Sequence, residues 1–167
     1  MHPILFETGP ITLHSYGLMV ALGYLAAIVL ATRSAGKFGL TQELVLDAAF
    51  YVIIFSIIGG RTLYVLVNFA YYREKPLDIL FGHHGGVVYL GGYIFVALAI
   101  YFWLRGRRVN PSDYGDLMSP YVALGHAVGR IGCFLHGCCY GRQTQALLGV
   151  VFPSLVDGQP RVPMQLV

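Results

Sequence analysis

Charged residues divide this chain into long apolar blocks. None occurs in residues 8–32 or 79–104, only Arg61 lies in 48–72, and only Arg130 lies in 117–141. A helix needs about 20 mostly apolar residues to cross the hydrocarbon core of a bilayer. The pattern therefore predicts four spans, over residues 11–32, 48–69, 86–104 and 117–137. Strands of a membrane barrel would be about 10 residues long and would alternate in polarity, and no such alternation runs through these blocks. The expected fold class is all-α and integral to a membrane, a polytopic bundle of about four transmembrane helices.

The breaks between blocks add detail. Gly36 and Gly39 punctuate a short loop, and Thr41 to Glu43 carry a helix-start signal. Pro76, His83, His84 and the paired glycines at 85–86 and 91–92 predict a re-entrant or interfacial segment before the third span. Tyr71 and Tyr72 suit a headgroup-level belt. Ser112 or Asp113 is a candidate helix cap. After Gly141, two X-Pro turns and alternating apolar residues predict a short extracytoplasmic loop or hairpin. Gly125 and Gly129 form a G-x-x-x-G pair that Gly132 extends, a spacing that lets helix backbones approach closely in lipid. With neither an internal repeat nor a low-complexity linker, residues 1–167 are expected to form a single membrane domain.

Composition strengthens the membrane reading and excludes an ordinary soluble domain. Hydrophobic residues make up 56% of the 167 and charged residues only 11%, against about a quarter in soluble proteins. The N-terminus has no basic region, and the first apolar run is longer than that of a signal peptide, so it is expected to be an uncleaved first helix. The net charge of +3 says little about partners, and no nucleic-acid partner is expected. Its placement says more. The loops after spans 1 and 3 carry Arg33, Lys37, Arg105, Arg107 and Arg108. The loop after span 2 and the tail carry Arg73, Lys75, Arg142 and Arg161, and no Lys or Arg precedes Arg33. The dense RGRR cluster and the bare N-terminus predict the N-terminus outside and loops 1 and 3 in the cytoplasm.

Candidate chemistry concentrates in GHAVGRIGCFLHGCCYGR, residues 125–142. Arg130 lies halfway along its apolar block, where a guanidinium costs at least about 2.5 kcal/mol on insertion scales. At helical spacing His126, Arg130 and Cys133 share a face. Arg61 is a second intramembrane arginine. Pairing with a buried carboxylate or snorkelling to an interface are the ordinary explanations, but neither span offers Asp or Glu nearby. An anionic ligand is then the more attractive partner, and within a membrane that anion is a phospholipid phosphate gripped by the planar guanidinium fork. Cys133, His136, Cys138 and Cys139 mix metal-ligand types, but their spacing does not match a pair of C-x-x-C knuckles. Oxidation of Cys138 and Cys139, or a core role for Cys133, are the alternatives. His14 and Tyr16 open the first span, and a tyrosine there is most often an interface anchor.

HSYGLM in the first span, GGRTLYVL in the second, GGVVYLGG entering the third and GRIGCFLHGCCYG in the fourth occur in the order found in the prolipoprotein diacylglyceryl transferase family. The closing RVPMQLV resembles that family's R-x-P-x-Q-L-Y-E stretch. The resemblance covers nearly the whole chain. It implies an enzyme of the bacterial cytoplasmic membrane that moves a diacylglyceryl group from phosphatidylglycerol to the lipobox cysteine thiol of a secreted preprotein, releasing glycerol phosphate, with no metal and no cofactor. It implies Arg130, Tyr16 and His14 as catalytic, and Arg130, Arg61, Gly91, Gly92, Gly132 and Gly141 as the phosphatidylglycerol-binding set. Leu90 stands where the family commonly has a histidine, and Cys133 where it often has asparagine. The base is left open between His14, His136 and none. The family continues through further helices, so this sequence is expected to be the N-terminal part of a longer fold. A non-catalytic lipid-binding or scaffold relative is the alternative reading.

Overall fold

The computed structural model describes residues 4–8, 11–81, 86–145, 147, 149–152 and 158–166. The chain opens with two short strands, β1 (Ile4–Thr8) and β2 (Ile11–His14), paired antiparallel from Ile4 opposite His14 to Thr8 opposite Ile11, with an irregularity between Ile4 and Phe6. The fold is mostly helical, as expected, with this hairpin added; the first helix begins at Ser15 rather than at residue 11, which corrects the expected start of the first span. Ile11 and Thr12 are β-branched, a side-chain class that fits a pleated ribbon better than a helix start.

Helix α1 (Ser15–Ser34) runs into a 3-10 turn at Ala35–Phe38, which Gly39 closes in the left-handed conformation. Helix α2 (Gln42–Val67) starts where expected, with the Thr41 hydroxyl accepting the Leu44 N–H at 3.2 Å. Two short helices follow, α3 (Phe69–Glu74) and α4 (Asp78–Phe81). They occupy the place of the expected interfacial segment, whose His83, His84 and Gly85 lie outside the described residues. Helix α5 (Tyr89–Gly106) matches the third block, and α6 (Pro111–His136) covers the fourth. The cap of α6 is Asn110, not Ser112 or Asp113. Its side-chain oxygen accepts the Ser112 N–H and its amide donates to the Asp113 carboxylate, each at 3.2 Å. Proline is well suited to the first helical position because it lacks the N–H that a helix start leaves unpaired.

Three segments among the described residues are long and apolar enough to cross a membrane: Ser15–Phe38, Gln42–Val67 and Tyr89–Gly106. The protein is an integral membrane protein. The more polar α6, which carries Ser112, Asp113, Asp116 and Ser119 and then Pro120, His126 and Arg130, is not among the three.

The chain divides into two compact units, one formed by residues 1–31 and 118–167, the other by residues 32–117. In the second unit α2 and α5 are joined by a seam of glycines. A Cβ on Gly59 would fall 2.5 Å from the Gly91 carbonyl, and one on Gly92 would fall 2.9 Å from the Ser56 carbonyl. With no side chain between them, the backbones touch. The outer faces of the same helices expose Phe50, Ile57, Leu66, Tyr93, Leu98 and Phe102, as helices surrounded by lipid do. Arg107 closes one end of the seam, pairing with Asp47 at 3.1 Å and stacking 4.6 Å from the Trp103 ring centroid.

Candidate functional site

In the first unit, glycines decide how closely the start of α1 meets the end of α6. A Cβ on Gly23 would lie 2.9 Å from the Gly125 carbonyl, and one on Gly132 would lie 2.8 Å from the Met19 Cβ and 3.4 Å from the Tyr16 Cα. That approach brings His136, the last residue of α6, beside the first turn of α1. Its ring centroid is 6.2 Å from that of His14 and 6.4 Å from that of Tyr16. His14 and Tyr16 are themselves exposed, while His136 is half-buried. The His136 Nδ1 is buried and has no hydrogen-bond partner among the described residues. A buried polar atom left in this way costs about 1–3 kcal/mol of desolvation, which a ligand proton or water would offset.

Arg130 lies a turn and a half before His136 on α6 and is half-buried. It forms no ion pair among the described residues; its Nη2 donates to the Met164 main-chain carbonyl. The sequence did not reveal that partner. It comes from the tail, which returns along the end of α6. Gly141 N–H donates to the Val162 carbonyl at 2.8 Å, Val162 N–H to the Arg142 carbonyl at 3.0 Å, and Thr144 N–H to the Pro160 carbonyl at 2.9 Å. Gly141 is needed because a Cβ there would meet the Met164 Cγ at 2.5 Å. Arg161 stacks 5.2 Å from the Tyr140 ring centroid, and the Gln165 amide donates to the Cys138 carbonyl. Gln165 is 97% buried by the 3% exposure of its side chain and backbone together, and its Oε1 has no partner among the described residues. The Met164 carbonyl is neutral, so among the described residues no group of opposite charge balances Arg130.

Around the end of α6, Cys133, Cys138 and Cys139 are free thiols whose Sγ atoms lie within 4.8 Å of one another. Burial, then the hydrogen bond and charge of Cys139, pushes the Cys138 thiol up to about 12. His126, expected on the arginine's face, is exposed.

The description of the prolipoprotein diacylglyceryl transferase family matches residues 3–167 of this chain. The chain belongs to that family. Relatives named phosphatidylglycerol–prolipoprotein diacylglyceryl transferase include one from Clostridium tetani, 38% identical over 154 residues, which are 92% of this chain and 61% of the relative. One from Geobacter sulfurreducens is 37% identical over 98% of this chain and 64% of its own length. One from Oleidesulfovibrio alaskensis is 39% identical over 98% of this chain and 62% of its own length. The chain thus spans about three fifths of the length of these relatives.

The motifs that resembled the transferase family fall into both units. The first unit holds His14, Tyr16, Arg130, Gly132 and Gly141. The second holds Arg61, Gly91 and Gly92, and there the geometry is structural in character. Arg61 donates through Nη2 to the Asp78 carbonyl at 2.9 Å and through Nε and Nη2 to the Ile79 carbonyl at 3.2 Å. Its guanidinium also stacks on Tyr64 and Tyr72. Gly91 and Gly92 are buried in the α2–α5 seam. Leu90, at the position where the resemblance places a histidine in the family, is exposed on α5. Sequence reasoning missed Gln165 and the Met164 carbonyl. The only signal for Gln165 was its place in the closing R-x-P-x-Q motif, since a polar residue in a proline-rich tail gives no hint of burial.

Proposed function

We propose that the chain carries out the transfer for which its relatives are named, joining the diacylglyceryl group of phosphatidylglycerol to the lipobox cysteine of a prolipoprotein in the bacterial cytoplasmic membrane. The observation that carries this reading is Arg130, a half-buried guanidinium far along an apolar block that, among the described residues, has one carbonyl for a partner and no carboxylate. A phosphodiester would supply the missing negative charge through two parallel hydrogen bonds.

In this reading the acceptor cysteine sulfur attacks the glyceryl carbon that bears the phosphate ester. The carbon–oxygen bond breaks, and glycerol phosphate leaves with the electron pair as a thioether forms. Arg130 holds the phosphate and stabilises the charge that grows on it as it departs, the kind of preorganised electrostatic help that is worth most in a site shielded from water. His136 is the proposed acceptor of the thiol proton. It is supported by its Nδ1, which has no partner among the described residues, and Leu90 has no group that could serve. Tyr16 and His14, whose rings flank His136, orient the headgroup. The step uses no cofactor. Gly132 and Gly141 shape the site by admitting α1 and the tail. Arg61 is proposed to fix the segment after α3 through the Asp78 and Ile79 carbonyls, with Gly91 and Gly92 seating α5. The N-terminus faces outward, and the loops bearing Arg33 and Arg105 face the cytoplasm.

The test is to supply the full gene product, in phosphatidylglycerol vesicles, with a peptide containing a lipobox cysteine. The expected product is a peptide heavier by one diacylglyceryl group in thioether linkage, together with one glycerol phosphate. A cysteine-to-serine peptide should give none. Lipid binding without product would contradict the proposal.

A further inference from the structure

Cys133, Cys138 and Cys139 take no part in the proposed transfer, yet their three sulfurs converge within 4.8 Å of one another. The end of α6 explains part of this. The N–H groups of Gly137 and Cys138 both bond to the Cys133 carbonyl, at 3.0 and 3.1 Å, with Gly137 left-handed at φ 79°. That cap holds Cys138 near Cys133. Cys139 requires more, because it adopts φ 62°, a conformation costing roughly 1–2 kcal/mol in a residue with a side chain. Non-glycine residues stay there only where their surroundings hold them, and such positions cluster at functional sites. Cys133 and Cys138 are half-buried and Cys139 is exposed, so the cluster is open on one side.

We propose that the three cysteines form a binding site for a soft monovalent cation, copper(I), held by three thiolates in trigonal coordination. Sulfur donors select soft ions. Among the described residues the group contains no imidazole or carboxylate to complete the four-coordinate shell that structural zinc takes. The distances fit. Three sulfurs around one ion at bonds of about 2.3 Å would lie about 4 Å apart, so a closure of less than 1 Å from the observed limit of 4.8 Å is enough, within the reach of side-chain rotation. The charge fits too. Arg130 precedes Cys133 by three residues and shares its helix face, which would disfavour a bare cation. Three thiolates and one Cu⁺ carry a net charge of −2, which the guanidinium attracts. On binding, three S–H bonds are lost, three copper–sulfur bonds form and three protons pass to solvent, with no change in the oxidation state of copper or sulfur.

The full gene product, purified in detergent under anaerobic reducing conditions, would be titrated with copper(I) against the competing chelator bicinchoninate. One copper ion per chain is expected, with three sulfur neighbours by X-ray absorption. Cys139 is exposed, so Cys139→Ser should fold as wild type by circular dichroism while losing more than about 100-fold in affinity, beyond the loss typical of an outer-shell contact. The absorption measurement on wild type needs no variant. Absence of saturable binding, fewer than three sulfur neighbours, unchanged affinity in Cys139→Ser, or tighter binding of zinc(II) than of copper(I) would each overturn the proposal.

Discussion

Gly132 of α6 and Tyr16 of α1 meet with no room for a side chain between them; a Cβ on Gly132 would lie 3.4 Å from the Tyr16 Cα and 2.8 Å from the Met19 Cβ. One turn away, a Cβ on Gly129 would meet only the Val20 Cγ2, at 4.0 Å. Gly132→Leu should therefore destabilise the protein by about 1–3 kcal/mol, the usual cost of overpacking, and Gly129→Ala should be tolerated. Thermal unfolding in one detergent measures both. Equal losses in the two variants would show that the α1–α6 approach is not as tight as described.

His136 carries the proposed proton acceptor. Removing a general base typically costs 10²- to 10⁴-fold in rate, so His136→Gln should lower kcat by roughly that factor while leaving KM for phosphatidylglycerol close to wild type. A variant with an unchanged kcat would remove His136 from the chemistry. Transfer assays on the full gene product, across a range of lipid concentrations, separate the two parameters.

Some of this was legible in the sequence, and the reasons are physical. Long uncharged blocks locate membrane helices because burying charge in lipid is costly, and α2 and α5 lie where their blocks predict. Thr41 was readable as a cap because its chemistry is local. Residues 11–14, Ile-Thr-Leu-His, were harder, since four residues are too few for periodicity to separate helix from strand, and their pairing with residues 4–8 decides the matter. Asn110 took the cap because Pro111 fixed where α6 begins. Gly91 and Gly92 show a deeper limit. Glycines that admit a headgroup and glycines that admit a neighbouring helix look the same in one dimension, and only the Gly59 and Ser56 carbonyls pressed against them distinguish the cases. The closure of the tail onto Arg130 was invisible for a similar reason, because a main-chain carbonyl leaves no mark on the sequence.

Topology gives a test independent of chemistry. Gly36 and Gly106 are exposed, and a Cβ at either meets nothing within 4 Å, so Gly36→Cys and Gly106→Cys are benign places for a label on a cysteine-free background. Both should be modified by membrane-impermeant maleimide only after the cells are opened. Labelling of either in intact cells, with the outer membrane made permeable, would reverse the proposed orientation.

Arg130 is central to the proposed transfer as the holder of the lipid phosphate. The direct measurement is the rate of diacylglyceryl transfer by the full gene product carrying Arg130→Lys or Arg130→Gln, assayed with phosphatidylglycerol vesicles and a lipobox peptide. Lysine keeps the charge but loses the two-donor fork, and glutamine loses the charge as well. Loss of one preorganised donor to a developing anion typically costs 10²- to 10³-fold, so both variants should be slowed, glutamine by about 10³-fold or more, with folding preserved by circular dichroism. Transfer at the wild-type rate by a folded Arg130→Gln enzyme would contradict the account.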